Sequence, residues 1–238
     1  GAIHGFIAML KKLRADVNAE HAACVFDAKG KTFRDDWYPQ YKANRSPMPD
    51  DLVKQIEPIH EAVRLLGWPV LEVPGIAADD AIGTLARRAA ETGHRVVVST
   101  GDKDLAQLVN DRVTLINTMS GEVLDVPGVA AKFGVPPSAI VDYLALVGDA
   151  VDNVPGVPGI GEKGARQLVA EFGSVEALLE RASEVPRKAY REGLLAHRAQ
   201  ALLSKELVTI HTDLPIEIHP ESLQLDPPDA GLLRELYS

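Results

Sequence analysis

Residues 148–163, Gly-Asp-Ala-Val-Asp-Asn-Val-Pro-Gly-Val-Pro-Gly-Ile-Gly-Glu-Lys, restrict the fold more than any other stretch of this chain. A helix-like run (Ile140, Leu144, Val147) leads into Asp149 and Asp152. A Gly/Pro-rich turn follows, and a second amphipathic helix begins near Glu162. The first half suits a hard divalent cation, which prefers carboxylate oxygens. The second half suits a phosphate backbone, because Gly159 and Gly161 let it approach N–H groups at a helix N-terminus. Metal beside a phosphate backbone means phosphodiester chemistry. An isolated Asp-x-x-Asp reads as two helix caps, and each glycine alone as an ordinary loop residue; the whole ordered run demands more. A nucleotide-binding P-loop fails, because Glu162 stands where its lysine belongs and Lys163 where Ser or Thr should follow.

The 238 residues, 46% of them hydrophobic, suffice for one large α/β domain with a smaller lobe. A single cysteine, Cys24, lies in the apolar run 22–26 and permits no disulfide within the chain, which suits a reducing cytosol. No apolar run approaches a membrane span, and no signal-peptide pattern opens the sequence, so a cytoplasmic protein without a membrane partner is expected. The net charge of −9 argues at first against nucleic acid. Its distribution argues otherwise. Residues 29–45 carry Lys29, Lys31, Arg34, Lys42 and Arg45 against Asp35 and Asp36. Residues 187–205 carry Arg187, Lys188, Arg191, Arg198 and Lys205 against Glu192. Either cluster alone reads equally well as a solvated face; basic patches flanking an acidic centre suit a metal-dependent nuclease.

Helical spacing covers 5–17 and 50–66, with Pro58 an expected kink or break, and 78–92, stopped by Gly93. Short strands are expected at 22–26, 69–73, 95–99 and 113–117, with a helix over 102–109. This alternation predicts a largely parallel central sheet covered by helices, over residues 1–126. From about Pro127 the pattern turns helical, giving a second lobe over 127–238. In open α/β sheets ligands bind beyond the carboxyl ends of the strands. Asp27, Asp79, Asp80, Asp102 and Asp104 fall at strand ends or the helix starts after them, and Asp149 and Asp152 come from the helical lobe. Seven carboxylates would then meet at one edge, repelling one another unless cations neutralise them.

These motifs resemble the 5′-nuclease domain of bacterial DNA polymerase I, within the wider flap-endonuclease family, over nearly the whole chain. Val25-Phe26-Asp27-Ala28-Lys29 is similar to the family's second metal-ligand strand. Phe33-Arg34 with Tyr41-Lys42-Ala43-Asn44-Arg45 resembles the helical arch, placed near 29–50. Val73-Pro74-Gly75 with Ala78-Asp79-Asp80, and Ser99-Thr100-Gly101-Asp102-Lys103-Asp104-Leu105, resemble its acidic motifs. The 148–173 region resembles its helix-two-turns-helix DNA-binding element. The resemblance implies a PIN-like nuclease core. It also implies two Mg²⁺ or Mn²⁺ ions, with Asp27, Asp102 and Asp104 nearest the first, Asp149 and Asp152 serving the second, and Asp79 and Asp80 bridging. It implies that Lys42 and Arg45 contact the scissile phosphate and that Tyr41 stacks on a base. Arg34, Lys103, Gly159, Gly161, Lys163 and Arg166 would touch DNA, and K⁺ would sit at the 154–161 turn.

Two departures stand out. The family carries a glutamate ligand where this chain has Ala77. The family also opens on a mid-sheet strand with an Asp-Gly pair, whereas Gly1 begins the helix after it, so that strand is expected ahead of Gly1. The sequence closes inside a helix-like run (Leu232, Leu233, Leu236), and the resemblance implies a polymerase joined downstream in a monomer. The expected function is structure-specific hydrolysis of DNA at 5′ ends, flaps or nicks, in replication and repair. Two alternatives are a DNA-binding module that does not cut, which Ala77 favours, and a stand-alone 5′ nuclease. A small-molecule phosphatase would need neither the arch nor a duplex-gripping lobe.

Overall fold

A computed structural model of the chain describes residues 1–43 and 48–229. The apolar stripe Ile3, Phe6, Ile7 and Leu10 forms one side of α1 (Ala2–Val17). It packs on Ala62 and Val63 of α4 (Ile56–Leu65) and on Leu66 and Trp68 beyond it. Pro58 does not break this helix. It sits in the first turn, where a missing N–H loses no intrahelical bond. The break falls earlier, at Lys54 and Gln55, between α4 and the short α3 (Asp50–Val53).

The fold is the expected mixed α/β arrangement of parallel strand pairs flanked by helices, and the described strands form two small sheets. β1 (Cys24–Phe26) pairs in parallel with β2 (Val70–Glu72). Separately, β3 (Val96–Ser99) pairs in parallel with β4 (Val113–Ile116), and β5 (Val123–Leu124) closes antiparallel on β4. The turn from β4 to β5 is too short for the crossover that a parallel strand needs. Helix α5 (Ala78–Glu91) packs against both β1 and β3 and so joins the two sheets. The helix expected at 102–109 is a 3₁₀ helix, Lys103–Leu108, whose first turn is capped by the Asp102 carboxylate accepting the Asp104 N–H.

The second lobe forms around α7 (Ile140–Val147), where Ala145 and Leu146 are fully buried. Around it lie α6 (Val126–Phe133), α8 (Glu162–Phe172), α9 (Val175–Glu180), α10 (Lys188–Ala196) and α11 (Arg198–Val208). Buried Asp142 accepts the Val175 N–H at the start of α9 and the Lys205 ammonium at 2.7 Å. Lys205 also meets Glu176, Arg191 donates to the Val185 carbonyl, and Arg198 to that of Leu179. Part of the basic cluster of 187–205 thus also braces the helical lobe, while Arg187, Lys188 and Arg198 stay exposed. Beyond α11 the chain returns across α5, where Arg88 donates to the carbonyls of Leu214, Ile216 and Ile218. No single helix among the described residues is long and apolar enough to cross a membrane.

Candidate metal centre and nucleic-acid interface

Two elements deliver the tightest group of carboxylates. The 3₁₀ helix carries Asp104, and the loop after α7 carries Asp149 and Asp152. That loop is pinched shut by reciprocal backbone hydrogen bonds between Asp149 and Val154 at 2.9 and 2.8 Å. Its ends approach so closely that a Cβ on Gly156 would lie 2.7 Å from the Gly148 nitrogen. Only glycine fits there. One oxygen from each of Asp104, Asp149 and Asp152 then lies within 4.8 Å of the others.

Asp104 Oδ1 is buried and has no hydrogen-bond partner among the described residues. Burial, and then the nearby Asp102, push the Asp104 carboxyl up to about 7. Asp79 is likewise raised to about 7, by burial first and then by Asp102, with which it shares a hydrogen bond. A buried orphan oxygen among mutually repelling carboxylates is a donor set that fits a hard divalent cation.

The grouping differs from the expected one. Asp104 sides with Asp149 and Asp152, whereas Asp79 sides with Asp102. Asp27 accepts the Ala78 N–H at 2.7 Å, at the mouth of α5. Lys103, expected on DNA, reaches Asp149 at 3.1 Å and offsets part of the negative charge. Nothing in the order Asp-Lys-Asp distinguishes such an internal counter-ion from a DNA contact.

Arg34 and Asp80 require correction. Asp80 is fully buried and Arg34 is 4% exposed. The guanidinium makes a two-pronged pair with the Asp80 carboxylate and donates to the carbonyls of Leu207 and Thr209. Asp80 also accepts the His211 N–H at 2.9 Å. A carboxylate so engaged has turned away from the other aspartates, and a guanidinium so enclosed does not face DNA. The helical period explains this: Asp79 and Asp80 are adjacent on α5 and must point to different sides.

The turn at residues 38–43 joins the carboxylate loop directly. The Lys42 N–H donates to the Asp152 carbonyl at 2.8 Å, and Asn153 Nδ2 to the Gln40 carbonyl at 2.7 Å. Lys42 and Asn153 both adopt left-handed backbone, at φ 57° and 58°. That conformation costs a lysine on the order of 1–2 kcal/mol, which the surrounding bonds must sustain. Lys42 Nζ lies 5.2 Å from the centre of the Tyr41 ring. Burial and the neighbouring Asp152 hold the Tyr41 hydroxyl well above its ordinary value, so it stays protonated. Arg45 lies outside the described residues. Asn153 escaped sequence reading, although asparagine's tolerance of left-handed backbone was its signal. Ala77 caps α5 with no side-chain bond and lines a cleft of about 150 Å³ shared with Asp27, Tyr41 and Lys42.

In the second lobe Gly159 (φ 88°), Gly161 and Lys163 are exposed at the turn into α8. Arg166 is partly committed to the protein, since its Nε donates to the Phe133 carbonyl and its terminal nitrogen lies 3.4 Å from Glu162.

Residues 1–134 match the family described as 5′–3′ exonuclease, N-terminal resolvase-like domain, and residues 135–231 match the 5′–3′ exonuclease C-terminal SAM fold. The 5′–3′ exonuclease of Aquifex aeolicus is 43% identical over 98% of this chain and 80% of its own length. DNA polymerase I of Pseudomonas aeruginosa is 50% identical over 100% of this chain but only 27% of its own length. The chain thus spans about a quarter of that relative. Among solved structures, a complex of the bacteriophage T5 flap endonuclease with DNA and metal ions has a TM-score of 0.74 at 23% identity, covering 87% of this chain and 80% of that one. At that identity the likeness is one of fold.

Proposed function

Because the chain belongs to the 5′–3′ exonuclease family, we propose that it hydrolyses DNA phosphodiesters at 5′ ends, flaps and nicks with two divalent cations, Mg²⁺ or Mn²⁺. The observation that carries this reading is the meeting of Asp104, Asp149 and Asp152 within 4.8 Å around a buried oxygen without a partner. Bound there, divalent cations supply an activated water and charge to stabilise the leaving oxygen. Asp104, Asp149 and Asp152 would hold them, with Asp79, Asp102 and Asp27 ordering the surrounding shell. Lys42, whose backbone N–H is fixed to the Asp152 carbonyl and whose ammonium acts electrostatically on Asp79, would meet the phosphate whose charge grows in the transition state. Tyr41 would stack against a base beside the cut. The Gly159–Lys163 turn would hold duplex backbone away from the cut, which positions DNA without reading its sequence. The carbonyls of the 154–161 turn would suit K⁺.

DNA polymerase I relatives support a polymerase in the same polypeptide, and the Aquifex relative, four-fifths matched, supports a free-standing nuclease. A DNA-binding module that does not cut is favoured by one observation: Ala77 offers no oxygen at the cleft. Binding and cleavage of one 5′-flap duplex, measured side by side with Mg²⁺, separate these readings. The nuclease reading expects tight binding with slow cleavage that stops on chelation. Cleavage unaffected by chelator would defeat it; binding with no cleavage even in Mn²⁺ would favour the module.

A further inference from the structure

The last residue of α2 (Phe33–Trp37) is a tryptophan exposed over 44% of its surface. It belongs to a group of three rings. Trp37 lies 4.9 Å from Phe33 and 5.9 Å from His211, and Phe33 lies 4.8 Å from His211. The Arg34 guanidinium sits 4.7 Å from the centre of the Phe33 ring. This platform is rigidly backed, because Arg34 and the His211 N–H both bond to Asp80, the residue after Asp79. It is therefore held on the Asp80 side of α5, one residue along the helix from Asp79.

Local charge decides what the platform recognises. Asp35 and Asp36 precede Trp37, and the Asp35 carboxylate is engaged by the Thr32 N–H at 2.9 Å. Asp35 is tied into this helix cap and the Arg34 guanidinium is enclosed against Phe33, so what a ligand would meet is the exposed Trp37 ring, with Phe33 and His211 tilted 49° and 41° to it. Every nucleobase has such a face, and base–aromatic stacking tolerates any sequence.

We propose that Phe33, Trp37 and His211 form a stacking platform for an unpaired base of the DNA strand whose 5′ end approaches the acidic cluster. The inference rests on the DNA-nuclease reading above and adds a contact to the single-stranded portion of the substrate. Because the contact is not electrostatic, its share of binding should survive added salt.

Trp37 and Trp68 are the only two tryptophans, and Trp68 is 7% exposed. Both emit, but only Trp37 is open to contact quenching by a bound base, so a loss of emission on binding reports on Trp37. The chain, with chelator present to prevent cutting, is titrated with a blunt duplex and with the same duplex carrying a 5′ thymidine overhang, following emission and anisotropy together. The overhang should quench emission and the blunt duplex should not. Trp37→Ala should lower affinity for the overhang DNA roughly 5- to 150-fold and leave blunt-duplex affinity unchanged. Trp37→Phe should retain most of the overhang affinity while losing the quenching. Overhang DNA bound without quenching, or bound equally well by Trp37→Ala, overturns the platform while leaving the nuclease reading intact. Failure of both DNAs to bind, in chelator and again in Mg²⁺, overturns the nuclease reading itself, and the platform with it.

Discussion

Asp104 and Asp79 each hold a carboxyl raised from 3.8 to about 7. The folded protein thus binds these protons more tightly than the unfolded chain does. Their contribution to stability is fullest below about pH 4 and declines as pH rises through 7. Metal-free protein should accordingly lose melting temperature between pH 5.5 and pH 8, and millimolar Mg²⁺ or Mn²⁺ should restore it at pH 8. The restoration should be smaller at pH 5.5, where protons compete for the same oxygens. Differential scanning calorimetry across this range checks the point; a flat profile with no metal effect would show that the carboxylates do not converge. Arg34 makes a contrasting case. Arg34→Met leaves Asp80 charged and buried without its partner and should cost roughly 3–5 kcal/mol in denaturant unfolding. Lys163→Ala, at an exposed position, should stay within about 0.5 kcal/mol.

At the scale of elements, the turn into α8 should grip duplex DNA through its backbone. Lys163→Ala should weaken binding equally for all sequences and lower the slope of log K against log salt by about 1. Arg166→Ala should show a similar slope change and, in addition, a lower melting temperature, because its Nε also ties α8 to the Phe133 carbonyl. A changed sequence preference would contradict the role of this turn. Helices α5 and α8 were readable from sequence because their apolar periods are local, and the carboxylates of 149–152 because the glycines around them leave few other conformations. What was not readable depends on distant partners. The antiparallel return of β5 onto β4 is a choice of partner that alternation cannot specify. The Arg34–Asp80 pair spans 46 positions, and no local signal separates an internal guanidinium from one that meets DNA. In the basic run of 187–205 the same blindness hides which residues also find acceptors in the helical lobe, as Lys205, Arg191 and Arg198 do.

For the molecule as a whole, the acidic site exists only when its two parts are together. Asp104 arrives from the end of β3, Asp149 and Asp152 from the helical lobe, and the turn at residues 38–43 is tied to that lobe through the Lys42–Asp152 bond. The central claim, that this junction holds metal and cuts DNA, is tested most directly at position 77, where a glutamate ligand is expected and alanine stands. Ala77 opens α5 at the cleft shared with Asp27 and Lys42, so a glutamate there reaches toward the group that Asp79 approaches. The measurement is release of a 5′-labelled fragment from a flap duplex in Mg²⁺ by the parent chain, by Ala77→Glu, and by Ala77→Glu carrying Asp104→Asn. We predict at least tenfold faster, chelator-sensitive cleavage by Ala77→Glu, its loss in Asp104→Asn, and nearly equal DNA affinity in all three. Equal rates for alanine and glutamate, or cleavage that survives Asp104→Asn, would contradict the account.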